Sequence, residues 1–159
     1  MKHIRSFAAL AVVIFVLPLV AKTQQPKMTG AQSKPSVEYS SASASAARPF
    51  SDVVRVGDML YLAGKLGTDS TGKLAAGGIK EETRQTLENI RTVLEKNGSS
   101  LDNVVKCTVM LADMKEWADM NSVYMTFFKK ERMPARSAFG VSGLALNARV
   151  EIECIATVK

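Results

Sequence analysis

Apolar and polar positions alternate along the last stretch of the chain. Val150, Ile152, Cys154, Ala156 and Val158 fall on one side, and Glu151, Glu153, Ile155 and Thr157 on the other. A period of two belongs to a strand with one face on a core. Two carboxylates share the remaining face, in a strand otherwise apolar enough to be internal. Another strand precedes it across a short loop, entered through Pro134 and carrying Arg136 at its start. Val105, Cys107, Val109 and Leu111 repeat the period over 103–111. Val53, Val54 and Val56, then Gly57-Asp58, then Met59 to Leu62 read as a β-hairpin. Glycine takes the first position of a type II′ turn without steric penalty, so that turn is expected here. Val37-Glu38-Tyr39 supplies an edge strand.

Two stretches switch to a helical period. Ile79, Thr83, Thr86, Leu87, Ile90, Val93 and Leu94 recur at three- and four-residue steps over 79–96. Glu81, Glu82, Arg84, Glu88, Arg91 and Glu95 fall opposite them, on a face expected to be solvated. Asn97-Gly98 closes the helix. Trp117, Met120, Tyr124, Phe127 and Phe128 make a stripe that predicts the buried face of a second helix over 113–130. The order is therefore β, β-hairpin, α, β, α, β, β. It predicts an α+β domain with two helices on one face of a six-stranded mixed sheet. The other sheet face keeps apolar residues among its polar ones, and self-association is the natural way to cover it.

Residues 64–78 read as a glycine-rich loop. Gly67 to Lys73 fits the phosphate-binding loop pattern except at its end, where Leu74 replaces the hydroxyl residue that would hold magnesium. The helical period begins only near Ile79, too late to aim N-terminal amides at a phosphate. Turn formation explains the Asp, Ser, Thr and Gly residues better.

Upstream, the pattern leaves globular structure. Met1 to Arg5 is basic, and Phe7 to Ala21 is apolar apart from Pro18. That run falls short of the ~20 residues a spanning helix needs. It predicts a signal peptide over 1–21 and an exported, periplasmic or secreted chain, with an uncleaved membrane anchor as the alternative. Residues 22–35 form a flexible linker, rich in Lys, Gln and Ser, and the domain spans 36–159.

Charge and composition narrow the chemistry. The net charge of +6 raises the question of a nucleic-acid partner. Its location answers it: residues 48–159 carry 16 basic and 14 acidic side chains. No run of Lys and Arg interleaved with aromatics accompanies them. The one histidine is His3, so His-based catalysis and most transition-metal sites are absent from the domain. Cys107 and Cys154 lie in separate strands and read as small buried hydrophobes, with a disulfide as the alternative in an oxidising compartment.

Pro134-Ala135-Arg136-Ser137, followed by Val150-Glu151-Ile152-Glu153, resembles the signature of the reactive intermediate deaminase (RidA, YjgF) family. Phe50-Ser51-Asp52, Val54 to Asp58 and Tyr61 to Gly64 resemble its N-terminal hairpin. Gln85 to Ile90 and Met120 to Tyr124 resemble its two helices. The resemblance covers roughly 36–159. It implies a chorismate-mutase-like α+β fold packed as a homotrimer with clefts between subunits. It also implies hydrolysis of 2-imino or 2-enamino acids to 2-oxo acids and ammonia, without metal or organic cofactor. Arg136 would hold the substrate carboxylate, since a guanidinium fork matches it with two parallel hydrogen bonds. Glu151 would position the water and move protons, with Glu153 a second candidate farther along the strand. Phe50, Ala63, Gly64, Asn121, Tyr124 and Ala138 would line the substrate. Phe50 stands where many members have tyrosine, Ala63 where many have serine, and Ala138 where many have cysteine. A structural ion pair between Arg136 and Glu151 is the plain alternative. So is a non-catalytic carboxylate binder or holdase of the same fold. A ribonuclease or translation inhibitor fits the small domain charge poorly.

Overall fold

The computed structural model describes residues 34–41 and 49–158. The signal peptide expected at 1–21 and the linker up to residue 33 lie outside the described residues. The strands are β1 (Val37–Ser40), β2 (Val53–Val56), β3 (Met59–Leu62), β4 (Lys65–Leu66), β5 (Val104–Leu111), β6 (Ala135–Gly140) and β7 (Val150–Thr157). Two α-helices are described, α1 (Ile79–Lys96) and α2 (Trp117–Tyr124). The sheet runs β1-β2-β3-β7-β5-β6, with β4 pairing β7 beside β3. Every pair is antiparallel except β5–β6, so the sheet is mixed.

The alternation in β7 settles its orientation. Val150, Ile152, Cys154 and Ala156 are buried, and Glu153 is exposed. Leu87, Ile90 and Leu94 of α1 pack on that face and are fully buried. The Thr83 and Thr86 hydroxyls are buried with them and donate to the carbonyls of Ile79 and Glu82, at 2.6 and 2.7 Å. Neither threonine hydroxyl is therefore left without a partner. The hairpin turn is as expected: Gly57 has φ 57°, and Asp58 stays at negative φ.

Four expectations need correction besides Val105, which a register shift next to Val104 leaves 44% exposed with Val104 buried in its stead. The sheet has seven strands, because Lys65 and Leu66 pair with Ile152 and Glu151. Two residues carry no readable period, which is why the loop pattern hid them. The second helix is shorter than 113–130. Asp113 caps a 3₁₀ turn over Met114–Glu116, α2 runs only to Tyr124, and the amides of Thr126 and Phe127 then bond three residues back. Such i→i−3 bonds tighten and end an α-helix. Trp117 is 38% exposed rather than core.

Glu82 is the fourth. It is buried within the face expected to be solvated, and its carboxylate accepts the Arg149 backbone N–H at 2.8 Å. That bond ties the start of α1 to the residue entering β7. The loop before α1 behaves as turn chemistry: the Asp69 carboxylate accepts from the amides of Thr71 and Lys73 and from the Thr71 hydroxyl. These bonds hold the Asp69 carboxyl below its ordinary range.

Replacing Glu82 with alanine strands the Arg149 amide. Glu82→Ala should destabilise the domain by about 1–3 kcal/mol. Glu82→Gln, which keeps an acceptor, should lose less. Urea unfolding of the two variants checks this; equal midpoints for Glu82→Ala and the wild type would remove the tie.

Candidate functional site

Register decides which side chains meet. Arg136 on β6 pairs with Cys107 on β5, which pairs with Cys154 on β7. Both cysteines are buried on the helix side, so this row belongs to the inner face. The Arg136 guanidinium lies 4.5 Å from the ring centre of Tyr124 and 5.8 Å from that of Trp117. Aromatic faces attract a cation at these distances without neutralising it. Among the described residues, no ion pair engages Arg136. The side chain is half-buried, at the wall of a pocket of about 370 Å³ shared with Trp117, Asn121, Tyr124, Met133 and Pro134.

Tyr124 anchors that wall. Its ring also packs on Phe128, with centroids 4.8 Å apart. Its hydroxyl is buried and finds no hydrogen-bond partner of good geometry among the described residues. Burial first, and the Cys107 thiol second, push its pKa far above the usual phenol range. Tyr124 is therefore a neutral surface for the guanidinium, not an acid or base.

Glu151 lies elsewhere. It pairs with Met110, which pairs with Phe139, and on its other side it pairs with Leu66. This row faces away from the helices. Gly64 sits directly against the Glu151 carboxylate; a Cβ there would overlap it. Glu153, two residues along, is exposed beside Thr108. Phe50, 53% exposed, and Gly64 border a second hollow of about 720 Å³ with Lys65 and Asn89. Its floor carries a nearly buried ion pair between Lys65 and Asp52. The Ala63 amide donates to the Asp52 carbonyl at 3.0 Å, closing the strand beside it. Ala138 is opposite Val109 and packs on the core.

The predicted residues thus fall into two groups. Arg136, Asn121 and Tyr124 share one pocket; Phe50 and Gly64 border the other hollow, and Gly64 also meets the Glu151 carboxylate on the face away from the helices. Within one chain Arg136 and Glu151 occupy opposite faces of the sheet, so they form no ion pair with each other. Sequence reasoning missed two contributors. Trp117 reads as core, although its position two helical turns before Tyr124 puts both on one side of the helix. The Lys65–Asp52 pair joins residues 13 apart in sequence, and no local spacing announces it. Among the described residues, no cluster of three His, Cys, Asp or Glu side chains is arranged to hold a metal.

Comparison with known proteins bears on this arrangement. Residues 40–158 match the family model described as endoribonuclease L-PSP. A mouse protein named 2-iminobutanoate/2-iminopropanoate deaminase is 43% identical over 109 residues, 68% of this chain and 80% of the relative. The crystal structure of YyfA, a Rid family protein of unknown function from Yersinia pestis, superposes with a TM-score of 0.70 at 36% identity. That match covers 78% of this chain and 99% of YyfA. RidA from the Antarctic bacterium Psychrobacter sp. gives a TM-score of 0.67 at 34% identity, covering 80% of this chain and all of that one. With a family match across most of its length and relatives this similar, the chain belongs to the endoribonuclease L-PSP family, the family of the YjgF and RidA proteins.

Proposed function

We propose that this protein hydrolyses reactive 2-imino and 2-enamino acids to 2-oxo acids and ammonia. The observation that carries the reading is the Arg136 guanidinium, half-buried, flanked by two aromatic rings and free of any ion pair among the described residues. Relatives named 2-iminobutanoate/2-iminopropanoate deaminase support the substrate class.

Arg136 grips the substrate carboxylate through two parallel charge-assisted bonds. Tyr124 and Trp117 fix the plane of the fork, so the imine carbon has a set position. Glu151 accepts a proton from water as the oxygen adds to that carbon, and the nitrogen is protonated from solvent. The resulting amino alcohol collapses: Glu151 returns its proton to the nitrogen, the hydroxyl proton passes to solvent in place of the one taken up, the carbon–nitrogen bond breaks, and ammonia departs. The net reaction consumes one water per imine and needs no metal.

Two faces of one sheet cannot grip one small molecule, so the reaction centre is assembled between copies. Tyr39, Val54, Tyr61 and Ile155 form a cross-strand row on the face away from the helices. Tyr39 and Tyr61 are 74% and 44% exposed. Covering this row by association into a homotrimer sets Arg136 of one subunit towards Glu151 of the next. The basic and apolar leader, 1–21, supports export of the chain, with the reaction then taking place outside the cytosol.

Five outcomes are expected. Arg136→Ala should lower kcat/KM for imines released by an amino-acid oxidase at least about a hundredfold, since two bonds to a charged group contribute about 3 kcal/mol. Glu151→Gln should lower kcat about a hundredfold with little change in KM. Gly64→Ala should fold normally, because only the end of the Glu151 side chain must move, yet lose about tenfold in kcat by displacing the carboxylate. Keto-acid release by the wild type no faster than without enzyme would leave only a carboxylate-binding role. Light scattering should report a trimer, and Tyr61→Arg should give a folded monomer without activity; an active monomer would refute the shared centre.

A further inference from the structure

The deaminase chemistry leaves one buried reactive pair unused. Cys107 and Cys154 stand directly opposite each other on antiparallel neighbours β5 and β7. Directly opposed residues in such a ladder have Cα atoms about 4.5–5.5 Å apart, inside the 4.4–6.8 Å range that a disulfide spans. Both side chains point into the core, and their sulfurs are 2.7 Å apart as free thiols. Closing to the bonded distance of about 2 Å needs only small side-chain rotations.

We propose that Cys107 and Cys154 form a modification site, a cross-strand dithiol that a hydroperoxide oxidises to an intramolecular disulfide behind the Arg136 pocket. Cys107 attacks. Its thiolate adds to one peroxide oxygen, the oxygen–oxygen bond breaks, and the departing alkoxide takes a proton to become an alcohol (water, for hydrogen peroxide). Cys154 resolves. Its sulfur displaces hydroxide from the Cys107 sulfenic acid, and the hydroxide leaves with the Cys154 proton as water. Two thiols and one hydroperoxide thus give one disulfide, one alcohol and one water; the thiols lose two electrons and the peroxide gains them.

The surroundings assign these roles. Cys107 is hydrogen-bonded to Cys154 and lies beside the Tyr124 hydroxyl and the Arg136 guanidinium; the Cys154 bond first, then these two, hold its pKa below the usual thiol value against the effect of burial. Cys154 is pushed well above that value by its bond to Cys107 and by burial. The attacking sulfur is the one nearer the cation. The two cysteines are 0% and 2% exposed, which excludes a bulky disulfide as oxidant. A molecule little larger than water is the fitting one. Tyr124 borders both the Arg136 pocket and Cys107, and marks the side from which it enters.

The purified full chain, treated with hydrogen peroxide, quenched, then unfolded in the presence of a thiol alkylating agent, should lose both alkylatable thiols. Peptide mapping should recover Cys107 linked to Cys154, and dithiothreitol should restore both thiols. Cys154→Ala should instead carry oxygen on Cys107 with no link. Met125, half exposed, gauges the dose through its sulfoxide. Two alkylatable thiols at a dose that oxidises Met125 would overturn the proposal. So would oxygenated but unlinked cysteine in the wild type, or links formed between chains.

Discussion

The antiparallel pairing of β5 with β7 is the constraint on which the other features depend. One strand is eight residues of alternating burial; the other matches it through Cys107, Val109 and Leu111. A slip of one residue would turn every buried side chain outwards and expose the core to water. The hydrophobic face therefore locks the register, and the register places the functional groups. Arg136 is held on the helix side because β6 is in register with β5. Glu151 is held on the far side because it lies between Val150 and Ile152, both fully buried. The chemistry does not choose these positions; the core does.

The same constraint shapes the electrostatics. A guanidinium between aromatic rings keeps its charge and its donors, whereas one against a carboxylate has spent them. Tyr124 serves here because burial of its hydroxyl raises its pKa and keeps the ring neutral beside the cation. Around Glu151 the selection is steric. Only a residue without Cβ fits against its carboxylate, and Gly64 supplies that space.

Much of this is legible in the sequence. The period of β7, the limits of α1 and the Gly57-Asp58 turn follow from local rules, because each is fixed by neighbours within a few residues. Arg136, Glu151, Asn121 and Tyr124 can be named from the motif resemblance. The rest depends on distant partners. Glu82 looks solvated by its helical phase, yet the Arg149 amide, 67 residues away, gives its carboxylate a buried partner. The early end of α2 rests on three-residue hydrogen bonds after Tyr124, which the aromatic stripe running on to Phe128 conceals. Nor does alternation within one strand tell which face its partner's arginine occupies; only the ladder does.

The Lys65–Asp52 pair limits how the chain can vary. Its side chains are 13% and 7% exposed, so the two charges neutralise each other almost out of reach of water. Exchanging the aspartate alone would take this partner from a lysine cation held in a poor dielectric. The aspartate is thus constrained by a residue 13 positions away, and the lining of the hollow beside Phe50 lasts only while it stays.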